Sequence, residues 1–437
     1  MPASAALIAT VEALWRVSRP GPENLLTAPQ FVSLSELCAA EYGVDKPVFA
    51  LNTALRSLGL PCQLPAGNDA LALDPLAAAD AIDEACRRRT TIRRHLCPLD
   101  LADDLPELAF GSARVAQFSA DALARMFNAP RIARTFPTQP LDAERLSHFQ
   151  WLVVEEEIAL DPRPEARAVP IMYMTFNRDF GEIEPHLGRF PPAVEASLFF
   201  LILAPWEDWS TMPEVDWRGF RVPWIYTSDE DLFIRPAPPP SADSLTLEPW
   251  IVDDDGEQIE LERPTRLPLL DGAQRGLALC TDEAWRELEA ARARPLFETP
   301  IAHFLVRAFL SDGMDEVMAH MTAVEAAVGL EMDHKKRMRP KPDPLREVST
   351  ATERMAALLN DRESAEAYKD LFDLRSAYVH GRAGLQKVST LQRVTARRLA
   401  RGVAGGLVSL ALEDSRPRVD VLSALLGRGL LYPQSGK

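Results

Sequence analysis

The sequence predicts an α+β protein of several domains, with a helical N-terminal region, a strand-rich middle region and a C-terminal all-α bundle. The chain has 437 residues, and because one domain commonly takes about 100–200 residues, we expect roughly two to four domains. Apolar residues recur at spacings of three and four near both ends, which indicates helices. The middle instead has short apolar runs separated by Pro, Gly and Asp, which indicates strands. We place the regions at residues 1–104, 105–280 and 281–437.

Composition narrows the class of protein further. Hydrophobic residues make up 47% and charged residues 26% of the chain, which excludes wholesale disorder. Five cysteines without a C-x-x-C pair favour a reducing cytoplasm over a disulfide framework. The apolar run 196–204 is far shorter than the ~20 residues that span a bilayer, and the N-terminus lacks the basic start of a signal peptide. We therefore expect a cytoplasmic protein that does not engage membranes.

No metal site is expected. Cys86, His95 and Cys97 are close in sequence, but no second Cys/His pair with ligand spacing accompanies them. Nearby arginines at 87–89 and 93–94 would repel a cation. Buried apolar thiols are the favoured reading of these cysteines.

The N-terminal region reads as short helices. Helical spacing covers 31–38 and 48–59, and the second segment ends on Gly59, a usual helix stop. With a turn at 42–45, the pair could be helix-turn-helix-like, although most such pairs are only packing units.

The middle region reads as a sandwich or α+β module. Its predicted strands are 151–160, 170–176, 197–203, 222–226 and 244–252. Four tryptophans cluster at positions 206, 209, 217 and 224, and core packing is favoured over a ligand surface. Asp253–Gly256 is read as a hairpin turn rather than a Ca²⁺ site.

The C-terminal region reads as a helical bundle. Its predicted helices are 282–288, 301–310, 315–330, 349–360, 364–378 and 388–412. Gly402 or Gly405–Gly406 could interrupt the last of these.

Charge is unevenly distributed along the chain. The net charge of −16 argues at first against nucleic-acid binding. However, residues 301–437 carry 21 Lys+Arg and 17 Asp+Glu, whereas residues 1–300 carry the other 27 and 47. The helical module is thus mildly basic, with its positive charge concentrated at 335–341 and at Arg393, Arg397, Arg398 and Arg401.

The sharpest chemical signal is an arginine and a histidine separated by four residues, Arg375 and His380. A guanidinium can bind two phosphate oxygens, and an imidazole can move a proton near neutral pH. On a regular helix the two side chains would be about 140° apart. They can share a groove only if the helix borders a cleft or pairs with a second copy. By spacing alone the signal is weak, and the alternative is an arginine at a helix end with a histidine that satisfies its own cap.

The surrounding sequence strengthens this signal. Leu-Arg-Ser-x-x-Val-His-Gly at 374–381, preceded by Leu-Phe-Asp, resembles the HEPN superfamily, and most closely its Apea-like branch. The upstream order of a helix with 322–326, a basic loop and a helix with 352–359 is also similar, so that the resemblance covers about residues 300–435. It implies a bundle that dimerises and joins two such motifs in a metal-independent endoribonuclease without a cofactor.

The resemblance also implies roles for individual residues. His380 would be the general acid or base, and Arg375 would bind the scissile phosphate. Ser376 would orient either of them, and Glu325 would hold Arg375 through an ion pair. Tyr378 could stack on a base, although packing inside the bundle is favoured. Backbone contacts to RNA, with a merely solvated loop as the alternative, would come from Lys335, Lys336, Arg337, Arg339, Lys341 and Arg382.

The sequence thus predicts a HEPN-type endoribonuclease that acts on RNA as a homodimer, in phage defence or toxin-like growth arrest. Its acidic N-terminal region would sense a phage or protein trigger, or restrain the module. The alternative is a non-catalytic HEPN-type sensor or regulator that binds RNA or nucleotides. No Walker A, G-x-G-x-x-G or G-x-S-x-G motif supports an ATPase, a dinucleotide enzyme or a serine hydrolase.

Overall fold

A computed structural model of the chain describes residues 2–19, 21, 23–173, 179, 181–182, 190–254, 257–334, 347–381 and 387–431. The protein is mixed α+β, with 56% helix and 12% strand. The predicted class is therefore confirmed.

Within the described part, the helices in chain order are α1 (Ala5–Trp15), α2 (Pro29–Tyr42), α3 (Val48–Leu58), α4 (Pro75–Arg87), α5 (Ala120–Phe127), α6 (Ala129–Thr135), α7 (Ala143–Leu146), α8 (Pro164–Ala168), α9 (Pro192–Ile202), α10 (Trp206–Trp209), α11 (Gly272–Leu277), α12 (Asp282–Arg292), α13 (Ile301–Leu310), α14 (Gly313–Val328), α15 (Glu331–His334), α16 (Glu347–Leu359), α17 (Arg362–Val379), α18 (Thr390–Glu413) and α19 (Arg418–Leu430). The strands are β1 (Thr90–Leu99), β2 (Leu108–Phe110), β3 (Ala113–Gln117), β4 (Gln150–Ala159), β5 (Tyr226–Asp229), β6 (Leu247–Asp254) and β7 (Glu257–Pro264).

The chain divides into two compact units. Unit 1 comprises 1–98, 117–183 and 223–264, and unit 2 comprises 99–116, 184–222 and 265–437. The boundaries do not follow the three consecutive regions expected from the sequence, because each unit takes residues from more than one region. The three-region layout stays a prediction, and the units are described below one at a time.

Four helices begin unit 1, as the N-terminal pattern predicts. On α1 the residues Leu7, Val11 and Leu14 are fully buried, at spacings of four and three. Helices α2 and α3 both stop at a glycine, Gly43 and Gly59, with φ values of +63° and +79°. A side chain is strained in that left-handed conformation, so glycine is the expected residue there.

The strands of unit 1 include three neighbours in the order β4–β1–β5, and β1 pairs antiparallel with β5. The centroid of the buried Trp151 ring lies 5.8 Å from that of Phe127 and 5.8 Å from that of Trp224. Aromatic side chains therefore pack around Trp151 of β4. His95 uses both ring nitrogens, one on Thr227 Oγ1 (2.9 Å) and one on Glu156 Oε2 (2.9 Å). Strands β6 and β7 form a separate antiparallel hairpin.

Several strand predictions are wrong. Residues 197–203 lie in helix α9 and its C-cap, residues 170–173 are a short 3₁₀ helix, and 222–226 reaches a strand only at Tyr226. In α9 every residue from Ala196 to Ile202 is buried. A helix that is buried on all sides has no amphipathic period, so its sequence cannot be told from a buried strand. Among its described residues the region 105–280 contains strands β2–β7 with helices α5–α11 interspersed, which agrees with the α+β alternative.

Unit 2 contains the hairpin β2–β3 and the helices α9–α19. Helix α14 packs against α13 and α18, and α16 packs against α17, α18 and α19. The predicted break in α18 is wrong, because the helix runs unbroken through Gly402, Gly405 and Gly406. A Cβ at Gly406 would lie 3.0 Å from Leu358 Cγ, so glycine here allows α16 to come close. The preference for core packing of the tryptophans holds in unit 2, where Trp206 and Trp217 are buried.

No helix among the described residues combines the length and the apolar character needed to cross a bilayer.

A fully buried histidine, His320 of α14, gives unit 2 a pH dependence. Burial, and then the positive charges of Arg397 and Arg218, hold the pKa of His320 well below its ordinary value of 6.5. The folded protein therefore keeps this ring neutral at a pH where the unfolded chain protonates it. We expect the contribution of His320 to stability to be complete above pH 6.5 and to fall by up to about 1.4 kcal/mol per pH unit below it.

Urea unfolding between pH 5 and pH 7.5 measures this effect. His320→Phe removes the titrating group, so the free energy of unfolding of the variant should fall less steeply with decreasing pH than that of the wild type. Parallel pH profiles for the two proteins would contradict the assignment.

Candidate functional site

Arg375 and His380 lie at the C-terminal end of α17. The helix begins after Asp361, whose carboxylate accepts the backbone N–H groups of Glu363 (3.0 Å) and Ser364 (3.3 Å). Its last residue is Val379, and His380 is the C-cap, with φ −91° and ψ 7°. Gly381 follows at φ +60°. His380 ends the helix but still makes its i→i−4 hydrogen bond, so the separation of about 140° from Arg375 still applies.

The imidazole of His380 is accessible. The residue is exposed, and its ring makes no hydrogen bond to any residue that the structure describes. The cap is made by the main chain, because the His380 N–H donates to the carbonyl of Ser376 at 3.1 Å. The alternative of a histidine that satisfies its own cap thus holds for the main chain of His380, and the cap does not occupy the ring.

Arg375 is held in place by two contacts. Its Nη1 forms an ion pair with Glu325 Oε1 on α14, and both side chains are 27% exposed. The expected ion pair between these residues is thus present. The guanidinium carbon also lies 5.9 Å from the centroid of the Phe372 ring. Sequence reasoning missed this contact, although the spacing of three on one helix was the available signal.

The pair can perform two different chemical tasks. A guanidinium has five N–H donors, and the Glu325 contact uses one nitrogen, so Arg375 can keep that contact and still donate to a phosphate. An imidazole can accept or donate a proton near neutral pH. Five residues of helix separate the two by about 7.5 Å along the axis. Arg375 is therefore a positioned cation, and His380 an exposed proton carrier one and a half turns away.

Ser376 and Tyr378 differ in their surroundings. Ser376 is half-buried, and its carbonyl accepts the His380 N–H. Tyr378 is 47% exposed and Val379 is 57% exposed. The preference for packing Tyr378 inside the bundle is therefore wrong, because the end of α17 is exposed from Tyr378 to His380. Large apolar side chains thus adjoin His380 on an exposed surface.

The predicted RNA-backbone contacts cannot be placed relative to this site. Lys335, Lys336, Arg337, Arg339, Lys341 and Arg382 lie outside the described residues. Their role stays a prediction.

The arginines of α18 do not form a free basic surface. Arg393 pairs with Glu316 at 2.8 Å, and Arg398 pairs with Asp208 at 2.5 Å. Arg397 Nε lies 3.3 Å from Glu207 Oε2, and Arg401 Nε lies 2.5 Å from Glu207 Oε1. These carboxylates neutralise the positive charge that the sequence concentrates in α18. A nucleic acid would find little uncompensated charge along this helix.

Comparisons of the chain with protein-family models, with curated proteins and with solved structures gave no match.

Proposed function

We propose that the protein is a HEPN-type, metal-independent endoribonuclease whose reacting groups are Arg375 and His380. The observation that carries the proposal is the contrast between these two side chains. Arg375 is fixed by Glu325 and Phe372, whereas the His380 ring is exposed and free of hydrogen bonds to described residues. A fixed cation beside an accessible imidazole suits phosphodiester cleavage, in which charge develops on phosphate oxygens and protons move at the attacking and leaving oxygens.

In this proposal His380 exchanges the protons and Arg375 stabilises the phosphate. The imidazole accepts the proton of the ribose 2′-hydroxyl as that oxygen attacks phosphorus, or protonates the leaving 5′-oxygen. Glu325 is a positioning residue, because it contacts Arg375 and not the substrate. The C-terminal helices form the HEPN-like bundle in this reading, and no cofactor takes part.

The decisive experiment is incubation of the full chain with total RNA in EDTA. Wild type should cleave, and Arg375→Ala should not. Arg375→Lys should retain only a small part of the activity, because it keeps the charge and loses the planar donor geometry. Arg416→Ala is the control, since Arg416 is another arginine of unit 2 that pairs with a carboxylate, Asp414. Cleavage that survives in Arg375→Ala would contradict the proposal.

We further propose that the active form is a homodimer. The supporting observation is the exposure of Tyr378 and Val379 immediately before His380. Apolar side chains of this size are stabilised when a second copy covers them. Val379→Asp should shift the molar mass in light scattering from dimer to monomer and reduce RNA cleavage with it. A dimer that persists in this variant would place the interface elsewhere.

The acidic N-terminal part of the chain is proposed to sense a phage or protein trigger, or to restrain the nuclease, in phage defence or toxin-like growth arrest. Its support is the charge difference between residues 1–300 and 301–437. A fragment that begins at residue 281 would test this poorly. It would lack residues 99–116 and 184–222 of the same unit, which include the buried Glu207 and Trp217.

The second candidate function is a non-catalytic HEPN-type sensor that binds RNA or nucleotides. The α18 arginines are paired with carboxylates, so they do not distinguish an endoribonuclease from a sensor. The RNA products of the EDTA experiment distinguish the two candidates. Binding of RNA that stays intact in the EDTA experiment would support the sensor.

A further inference from the structure

A second candidate site lies elsewhere in unit 2, in a cavity of about 360 Å³ between α9 and α13. Its volume is at the lower end of the roughly 300–1,000 Å³ that is usual for small-molecule pockets. The residues proposed for RNA cleavage are not among its lining residues, which are Phe190, Glu195, His303, Val306, Arg307, Leu310 and Ser311.

One face of α13 supplies most of this lining. His303, Val306, Arg307 and Leu310 occur at spacings of three, one and three, so they project from the same side of the helix. The opposite side carries buried residues such as Leu305 and Phe309. The face toward the cavity therefore combines two basic side chains with two apolar ones.

The histidine in this cavity has a defined orientation. His303 Nδ1 lies 3.0 Å from Glu195 Oε2, and the two side chains are only 16% and 18% exposed. A carboxylate can only accept, so Nδ1 carries the hydrogen. The carboxylate thereby fixes the ring and leaves Nε2 on the other side for a ligand, to which it donates when the ring is the imidazolium.

Arg307 is the second polar group, one helical turn from His303. It is exposed, and among the residues that the structure describes it makes no ion pair. The arginines of α18 in the same unit, by contrast, are all paired with carboxylates. A guanidinium that is not paired with a carboxylate can donate to an anion, and the oriented imidazole lies beside it.

The serine at the rim does not turn this site into a hydrolase. Ser311 Oγ donates to the Arg307 carbonyl at 2.7 Å, so its hydrogen is directed at the main chain and not at His303. The cavity is therefore equipped for binding.

We propose that this cavity binds a small organic anion. Its carboxylate or phosphate accepts hydrogen bonds from the Arg307 guanidinium and from Nε2–H of the imidazolium form of His303, which stays paired with Glu195. Its apolar body packs against Phe190, Val306 and Leu310. Glu195 is a positioning residue that holds the imidazole. The proposal is independent of RNA cleavage, because neither Arg375 nor His380 takes part.

The test uses the full chain and two probes, benzoate and phenyl phosphate, which share a phenyl body and differ in the anionic group. Isothermal titration should give a Kd of about 1 mM for at least one of them. Arg307→Gln and His303→Gln should each weaken binding about tenfold, as expected for loss of one charged hydrogen bond. Arg286→Gln is the matched control, because Arg286 is a 73% exposed arginine on α12, and it should leave the Kd unchanged.

The outcomes are distinguishable. Binding of benzoate alone identifies a carboxylate ligand, and binding of phenyl phosphate alone identifies a phosphate ligand. No binding of either probe at about 10 mM would overturn the proposal, as would equal binding by wild type and Arg307→Gln. Two further compounds serve as controls: benzyl alcohol lacks the anionic group, and inorganic phosphate lacks the phenyl body. If either binds as tightly as the complete probes, the assignment of anion and apolar body is wrong.

Discussion

His380→Ala should lower the rate of RNA cleavage by about 10²–10⁴-fold, the usual contribution of a positioned general acid or base. The fold should not suffer, because the ring is exposed and makes no hydrogen bond to any described residue. We expect the free energy of unfolding to change by less than about 0.5 kcal/mol. Cleavage of a defined oligoribonucleotide in EDTA measures the first quantity, and urea unfolding measures the second.

Asp373→Ala is the matched control for this variant. Asp373 is exposed on the same helix, so its removal changes the local surface without touching the proposed proton carrier. Its cleavage rate should stay within a few-fold of wild type. If both variants cleave at the wild-type rate, His380 does not transfer protons. If His380→Ala still binds RNA but no longer cleaves it, binding and catalysis are separate and the enzyme is supported over the sensor.

Glu207→Ala should cost about 3–5 kcal/mol of the stability of unit 2, the largest effect on folding that we expect. Glu207 and Arg397 both have fully buried side chains, and Arg397 also donates to the carbonyl of Ile202. Burial lowers the pKa of Arg397 to about 10, but the group still carries its charge at neutral pH. Without Glu207 this buried charge loses the carboxylate that pairs with it.

The neighbouring residue provides the comparison. Asp208 pairs with Arg398, and these side chains are 37% and 49% exposed. Because solvent screens such a pair, Asp208→Ala should cost only about 0–1 kcal/mol. The double variant Glu207→Leu, Arg397→Leu should recover much of the loss, since it removes both buried charges together. Equal destabilisation by Glu207→Ala and Asp208→Ala would show that burial does not make the difference.

Local signals in the sequence predicted the helices well. The boundaries of α13 match the predicted helix 301–310, and α3 stops at Gly59 as its pattern indicates. These features depend on residues within one or two turns of each other, through capping and apolar spacing. The Arg375–Glu325 ion pair was also predicted, but from the resemblance of the two helices to a known family and not from spacing.

The strand predictions failed where a helix is buried on all sides, because its sequence then has no amphipathic periodicity. The run that forms α9 was read as a strand, and with it the sequence lost the helix that positions Glu195. The spacing of His303 and Arg307 on one helix face was visible in the sequence, but the acidic partner of His303 was not. Glu195 and His303 are 108 positions apart, and only the packing of α9 against α13 brings them together.

The sequence by itself determined that the chain is α+β and where most C-terminal helices lie. It also predicted that Arg375 and His380 are the residues of chemical interest. The tertiary structure decided which charges are available. It pairs the arginines of α18 with Glu207, Asp208 and Glu316, and it leaves Arg307 in a cavity. The reason is physical: propensity and caps act between neighbours in the chain, whereas burial and ion pairing join residues that only folding brings into contact.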